Sequence, residues 1–400
     1  MKRRLYTEDH EAFRAVVAEF VTREVVPHLE RWEAERHIDR EVWLAAGKQG
    51  LLGLLAPQAY GGAGGDYRFR NVLLEEFARV HATSLAAGFT LQDDIAVPYI
   101  AEIGDADQKQ RFLPGMVAGE LIGAIAMTEP GTGSDLQGIK TSARRVDDGW
   151  VLNGAKTFIT NGINADVVVT VARTDPAGGP RGFTLFLVEA TMPGFSRGRK
   201  LDKVGLHAQD TAELIYVDVF VPDSHVLGKV GGGFGQLKDM LPLERISIAA
   251  HAVAVTEAVL NDTITYTKDR TAFGQRIADF QNTQFELAEM RTEVDIARVY
   301  LDQAILALNA GELTDVDAAE AKWWTTDLQN QVIDRCLQLH GGYGYMLEYP
   351  VARAYQDARI QRIFGGSNEI MKVIIGRDII GRASSAPGFR GAPTRVATRG

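Results

Sequence analysis

The chain has 400 residues, 46% of them hydrophobic and 24% charged, with a formal net charge of -9. That length suits two or three domains, and that composition fills a large core and excludes a disordered protein. The acidic balance argues against a nucleic-acid protein, whose footprint is a basic patch or stripe.

Cys336 is the one cysteine, so no disulfide framework and no Cys-based metal site is expected. The eight histidines are scattered and none pair at metal-ligand spacing, so no metal is expected. Met1-Lys2-Arg3-Arg4 is basic, but no apolar run of signal-peptide length follows. No stretch of about 18 apolar residues exists, so no membrane span is expected and the simplest compartment is the cytoplasm.

Residues 1 to about 121 read as helical. Glu11 to Arg31 places Phe13, Val16, Val17, Phe20 and Val21 at helical spacing, and Pro27 should kink or divide the run. Asp39 is a capping residue for a second helix through Leu44. The glycine-rich loop Tyr60 to Asp66 reads as flexible and lacks the Lys-Ser/Thr of a phosphate-binding loop. Asn71 to Val80, Ser84 to Ile103 and Asp107 to Ala118 are further helical runs, the last broken by Pro114.

From about Leu121 the period changes. Ile122 to Met127, Lys140 to Arg145, Trp150 to Asn153, Lys156 to Thr160, Asp166 to Ala172, Phe183 to Glu189 and Leu214 to Phe220 are short strand-like runs. Strands this crowded indicate a small barrel or sandwich. Gly231 to Gly235 reads as a hinge.

Helical periodicity returns from Leu237 to Gly381. Glu244 to Thr267, Thr283 to Asn309, Asp317 to Leu339 and Val351 to Ile360 precede a last helix, Ile370 to Ile380. The expected fold is α+β: an N-terminal helical domain (1–121), a small β-barrel domain (122–232) and a C-terminal four-helix bundle (233–382). The tail, 383–400, is rich in Gly, Ala, Ser, Pro and Arg and expected to be disordered.

Several constellations could carry chemistry, and each has a plainer alternative. Ile125 to Asp135 leaves a strand for a loop with free amides and hydroxyls that could meet the polar edge of a planar heterocycle, or be a Pro-Gly turn. Lys156 to Gly162 puts an aromatic beside hydroxyls, where a ring could stack, or is an edge strand closed by a type I′ Asn-Gly turn. Lys203 to Glu213 could bind ligand, or is a structural connection within the β domain. Leu241 to Ile246 places Pro242 at a helix N-terminus and Glu244 in its first turn, where a carboxylate complements the helix dipole.

Arg270, near Phe273 and Gln281, could bind a pyrophosphate or cap a helix. Gln338 to Tyr345 is a glycine-rich turn that admits a phosphate or ribose, or merely ends a helix. Ile363 to Ile370 holds paired glycines and the N-cap residues Ser367 and Asn368, a turn that suits an oxyanion or simply joins two helices.

Order and spacing together point further. Thr128-Glu129-Pro130-x-x-Gly133-Ser134-Asp135, Ala208 to Leu214, Arg270-x-x-Phe273-Gly274 and Gln338-x-x-Gly341-Gly342 occur in the order and at the distances of the acyl-CoA dehydrogenase family. From about residue 5 to 381 the chain resembles that family, nearest to its long-chain members through Lys48 to Gly53, Gly123 to Thr128 and Gly365 to Lys372. The resemblance implies the three-part fold, a homotetramer of paired dimers, one FAD per subunit, an acyl-CoA substrate and an electron-transferring flavoprotein as electron acceptor. The implied reaction is the α,β-dehydrogenation of a fatty acyl-CoA to the trans-2-enoyl-CoA in β-oxidation. A branched-chain, isovaleryl-type activity and action on carrier-bound thioesters are the alternatives.

Residue roles follow only from the resemblance. In medium- and short-chain members the catalytic base stands at the position of Gly365, which here has no side chain. Long-chain and isovaleryl members place it on the helix near Pro242, and Glu244 matches that position. Glu369 is a rival carboxylate at a position used for flavin contact. Ile125, Met127, Thr128, Ser134, Phe158, Ile159 and Thr160 match the flavin-ring side, with Phe158 in place of the Trp of several members. Arg270, Phe273, Gln281, Gln338, Leu339, Gly341 and Gly342 match residues that hold the ADP half across a dimer interface, and Ala272 stands where others carry Thr. Ser367, Asn368 and Glu369 match the second flavin segment. Ser134, Pro242, Arg245 and Gly365 match substrate contacts. The small Gly235 at the bundle entry favours medium-to-long or branched chains.

Overall fold

The computed structural model of the chain describes residues 3–381. The tail expected to be disordered lies outside them. The N-terminal run is helical as the periodicity requires: α1 (Glu8–Phe20), α2 (Leu29–Glu35), α3 (Arg40–Lys48), α4 (Tyr67–Arg79), α5 (Thr83–Thr90), α6 (Val97–Ile103) and α7 (Ala106–Val117). Pro27 does divide the first run, in a 3-10 turn between α1 and α2. Asp66 caps α4 by accepting from the Arg68 amide, and Asp105 caps α7 in a reciprocal pair with Gln108. Pro114, expected to break α7, sits inside it, and the helix runs on to Val117. Between α5 and α6 the residues Leu91–Ala96 form a π-helical turn, which adds a residue to the coil and lets α6 begin with Pro98 in its first turn.

The middle segment is one sheet: β1 (Gly123–Ala126), β2 (Ser142–Val146), β3 (Gly149–Thr160), β4 (Val167–Arg173), β5 (Phe183–Glu189), β6 (Phe195–Lys200), β7 (Thr211–Pro222) and β8 (Val226–Leu227). The order is β6-β7-β3-β2-β4-β5-β8, with β1 parallel to β4. The end strands β6 and β8 do not pair with each other, so hydrogen bonds leave the sheet unclosed. Two runs read as separate strands, Trp150 to Asn153 and Lys156 to Thr160, are a single long β3 interrupted by two irregularities against β7. The type I′ turn at Asn161-Gly162 does not form. Asn161 has φ +60° but Gly162 does not join it at positive φ, and β4 leaves to pair with β5 and β1 rather than with β3. Strand β6 was invisible in the sequence because Phe195 to Lys200 is an exposed edge with no apolar alternation.

The C-terminal segment contains α8 (Gly233–Asp269), α9 (Gln281–Ala310), α10 (Asp315–His340), α11 (Pro350–Ala358) and α12 (Asn368–Ile379). Here the expected hinge needs correction: Gly233 to Gly235 already belong to α8. Pro242 and Glu244 are therefore not at a helix start. They lie in the interior of α8, about three turns in, so the helix dipole explains neither of them.

Two buried cores meet along α8. Leu237 and Met240 pack with α6, α7 and the sheet. Leu243, Ile246 and the rest of α8 pack with α9, α10 and the N-terminal helices. Glu244 stands where one core gives way to the other. No described helix is long and apolar enough to cross a membrane.

Candidate active site

Glu244 is buried, 3% exposed. Its carboxylate Oε1 accepts a hydrogen bond of 3.0 Å from the Tyr99 hydroxyl of α6. Burial pushes the Glu244 carboxyl up to about 7, against the Tyr99 hydrogen bond and the Arg245 charge, which both hold it down. Burial also raises Tyr99 well above its ordinary value, so it remains a donor. Tyr99 belongs to the sheet-side core and was missed from the sequence, because nothing in Ala96 to Ile103 distinguishes it from a core aromatic.

Arg245 is buried beside it, and burial holds its guanidinium below its ordinary value despite Asp315 and Glu244. Its Nε has no protein partner. A buried, orphaned N–H is costly, and a site that keeps one has a donor ready for a ligand.

One turn beyond Glu244, and on the same face of α8, is Ile248. A Cβ built on Gly365 would lie 2.2 Å from Ile248 Cδ1. Gly365 (φ +62°) and Gly366 (φ +90°) both occupy left-handed backbone. Ile248, one turn from Glu244, therefore abuts the paired-glycine turn and takes the space that a side chain at Gly365 would need. Ser367 is the N-cap of α12 without a side-chain cap bond. Asn368 is buried and turned to α10, where its Nδ2 donates to Trp323 O, Thr326 Oγ1 and Asp327 Oδ1. Glu369 is exposed, and its own backbone amide and the Ser367 hydroxyl hold its carboxyl below the ordinary range.

On the sheet side, Thr128 O accepts from Thr157 N at 2.9 Å, joining the 128–135 loop to β3. Phe158 sits in an irregularity of β3 at φ +61° with its ring 68% exposed. A large aromatic held outward on strained backbone is available to stack. Ile125 and Ile159 pack into the sheet core, Met127 and Thr160 are half-buried, and Ser134 is exposed.

Glu129 of the same loop has a role that the motif did not disclose. It accepts from the Lys140 and Thr141 amides at 2.7 and 2.9 Å and from Lys156 Nζ at 2.9 Å. Lys156, fully buried, also donates to Met127 O at 3.0 Å. Burial pushes Lys156 down to about 8, and burial of Glu129 is outweighed by Lys156 and the two amides. The pair clamps the loop to β3.

At the far end of α8, Arg270 shares an open cleft of about 650 Å³ with Tyr266, Gln338, Leu339, Gly341 and Gly342. Arg270 lies over the Tyr343 ring, 5.4 Å from its centroid. A Cβ at Gly341 (φ +58°) or Gly342 would meet no atom within 4 Å, so the backbone there is open to a ligand. A guanidinium, bare glycine amides and aromatic faces form a donor set that fits a dinucleotide's pyrophosphate and base. Phe273 is 95% exposed at the tip of a two-stranded hairpin, and Gln281 is exposed at the start of α9. None of the sheet-side residues reaches this cleft. Gly235 is exposed, with open space where a side chain would go. The connection Lys203 to Glu213 does more than join strands: Leu206 N donates to Asp357 Oδ1 of α11 at 2.5 Å, pinning sheet to bundle.

Known proteins share the sequence and the fold of this chain. Sequence models of the acyl-CoA dehydrogenase N-terminal, middle and C-terminal domains match residues 7–120, 124–219 and 231–380. The long-chain specific acyl-CoA dehydrogenase of Sus scrofa mitochondria is 48% identical over 94% of this chain and 88% of its own. The crystal structure of an acyl-CoA dehydrogenase from Geobacillus kaustophilus superposes with a TM-score of 0.92 at 45% identity, covering 94% of this chain and 100% of that one. An acyl-CoA dehydrogenase from Bacillus anthracis, solved in complex with FAD, superposes with a TM-score of 0.89 at 30% identity over 94% of this chain and 69% of that one. The chain belongs to the acyl-CoA dehydrogenase family of oxidoreductases.

Proposed function

We propose that the protein dehydrogenates a fatty acyl-CoA between C2 and C3, giving the trans-2-enoyl-CoA, with Glu244 as the base that takes the C2 proton. The observation that carries this is the placement of Glu244: buried, tuned to about 7, held by Tyr99 and adjoining the Gly365 turn through Ile248. Its family identity supports FAD as the cofactor, and the residues present fit it. The flavin ring would lie against Thr128, Phe158, Thr160 and Ser367, and the ADP half against Arg270, Gln338 and Gly341-Gly342. FAD supplies the acceptor for the hydride that leaves C3.

The chain's own residues do the rest. A C2 proton beside a thioester is weakly acidic, so its removal needs a base near neutral pKa in a dry pocket. Glu244 meets both conditions, and the Tyr99 donor fixes which carboxylate oxygen is hydrogen-bonded and which is free. As C2 loses its proton, negative charge grows on the thioester oxygen, and a preorganised backbone donor stabilises it. Gly365 keeps its amide although it lacks the side chain that other members use. The orphaned Arg245 Nε is a further donor for the substrate. Glu369 is a poor candidate for the base because it is exposed and its carboxyl is held low.

The same residues bear on the assembly. An exposed Phe273 on a projecting hairpin, with Ile379 77% exposed on α12, supports a tetramer of paired dimers in which one subunit's Arg270 cleft serves its neighbour's FAD. Segment limits at 1–121, 122–232 and 233–382 are supported by the breaks before β1 and α8. Electrons would pass to an electron-transferring flavoprotein, the acceptor expected for this family, and the 48% identity to a long-chain enzyme supports medium-to-long acyl chains. Glu244→Gln is the test: it should retain FAD yet lose anaerobic flavin bleaching by acyl-CoA. Undiminished bleaching would remove Glu244 from the reaction.

A further inference from the structure

Behind the paired-glycine turn lies a lysine that neither the motifs nor the proposed reaction uses. Lys322 of α10 is fully buried. Its Nζ donates to the Gly366 carbonyl at 2.8 Å and to Asn368 Oδ1 at 2.9 Å. Asn368 is itself oriented by Thr326 and Asp327, so its oxygen is fixed toward the ammonium. Burial pushes the Lys322 amine down to about 7, and four charged groups around it bias its charge: Asp327 on α10 and Glu369 on α12 favour it, while Arg245 on α8 and Arg362 ahead of the turn oppose it. Asp327 is also paired with Arg362 Nε at 2.6 Å, so its charge is already shared.

A staple between α10 and this turn could be neutral. A buried ammonium is costly and is weak evidence of stabilisation alone, which directs attention to what its charge does. The Gly366 carbonyl belongs to the Gly366–Ser367 peptide. In a trans peptide the N–H points opposite the C=O, so a cation on the Gly366 oxygen polarises the Ser367 amide and adds its positive field to the turn that carries the Gly365 amide used in the proposed reaction. The same two bonds hold Gly365 and Gly366 in left-handed backbone, a conformation that glycine permits but does not impose.

We propose that Lys322 is a positioning residue: its ammonium holds the Gly365-Gly366-Ser367 turn in register and directs a positive field through it at the oxygen that gains charge when the C2 proton leaves. The proposal rests on Glu244-based dehydrogenation at this turn. It predicts that removing the cation weakens enolate formation even where fold and cofactor are kept.

A 3-thiaacyl-CoA separates these effects, since it has an acidified C2 proton and no C3 hydride to give. Ionisation of the bound analogue beside oxidised flavin produces a long-wavelength absorption that can be titrated in the FAD-loaded enzyme. In Lys322→Met the apparent pKa of the bound analogue should rise by about one unit or more. Lys322→Arg, which keeps the charge, should stay closer to the parent, and it serves if Lys322→Met does not fold. Thr326→Val loosens Asn368 but leaves the cation on the Gly366 carbonyl; it should lower Tm and shift the ionisation less than Lys322→Met does. An FAD-loaded Lys322→Met that ionises the analogue like the parent overturns the proposal, as does a Thr326→Val shift of equal size. If the parent does not ionise the analogue, or Glu244→Gln still does, it is the assignment of the base that fails.

Discussion

Tyr99→Phe tests how the site sets its base. The ring stays in the core and only the oxygen that donates to Glu244 at 3.0 Å is lost. A hydrogen bond to a charged acceptor contributes about 1.5–3 kcal/mol, and about 1.4 kcal/mol equals one pKa unit. The bond favours the carboxylate, so its loss raises Glu244 above its value of about 7. We take the lower end of that range, a rise of about one unit, because the emptied space admits a water. The base works ionised, so the acid limb of kcat/KM moves from about pH 7 to about pH 8. At pH 7 the ionised fraction falls from about a half to about a tenth, and activity falls about fivefold. Above about pH 9 the variant should approach the parent. The assay is steady-state turnover of acyl-CoA with an artificial electron acceptor across pH, read as kcat/KM. An equal loss at every pH, or an acid limb that does not move, would refute the tuning role of Tyr99.

Three further outcomes follow from the same geometry. Because Glu244 has a folded-state pKa of about 7 against an ordinary 4.5, the unfolded chain holds fewer protons between those values and stability falls as pH rises through that window. Glu244→Gln removes the titration, so its unfolding free energy should exceed the parent's most at about pH 8, by up to roughly 3 kcal/mol, and converge with it near pH 4.5; a constant difference across pH would contradict the linkage. Gly365→Ala places a Cβ in left-handed backbone against Ile248, which should cost about 1–2 kcal/mol from backbone alone. Combining it with Ile248→Val should cost less than the two single changes added, and strict additivity in denaturation would show that Ile248 does not fill that space. Glu129→Ala leaves Lys156 buried without its partner, at a cost of about 3 kcal/mol, and adding Lys156→Met should return part of it. Equal midpoints for Glu129→Ala and the parent would mean the clamp carries no stability.

The sequence determined the architecture because periodicity is a local record of burial. Apolar spacing in Glu11 to Arg31 and Thr283 to Asn309 marked helices, and alternation marked most strands. It also carried the site's vocabulary: the paired glycines at 365–366, the 128–135 loop and the Glu244 position were all legible as motifs. With Gly365 bare, the resemblance to long-chain and isovaleryl members moved the expected base back to Glu244. What the sequence could not carry was decided by contacts between elements far apart in the chain. Pro242 looked like a helix start because proline usually is one, but packing on two cores carries α8 straight through it. Trp150 to Thr160 looked like two strands because the irregularities of β3 are set by β7. Tyr99 and Lys322 read as ordinary helix residues, and only the fold brings one to Glu244 and the other to the Gly366 carbonyl. A local pattern can specify which face is buried, but it cannot say which polar group waits there, since that partner comes from another element.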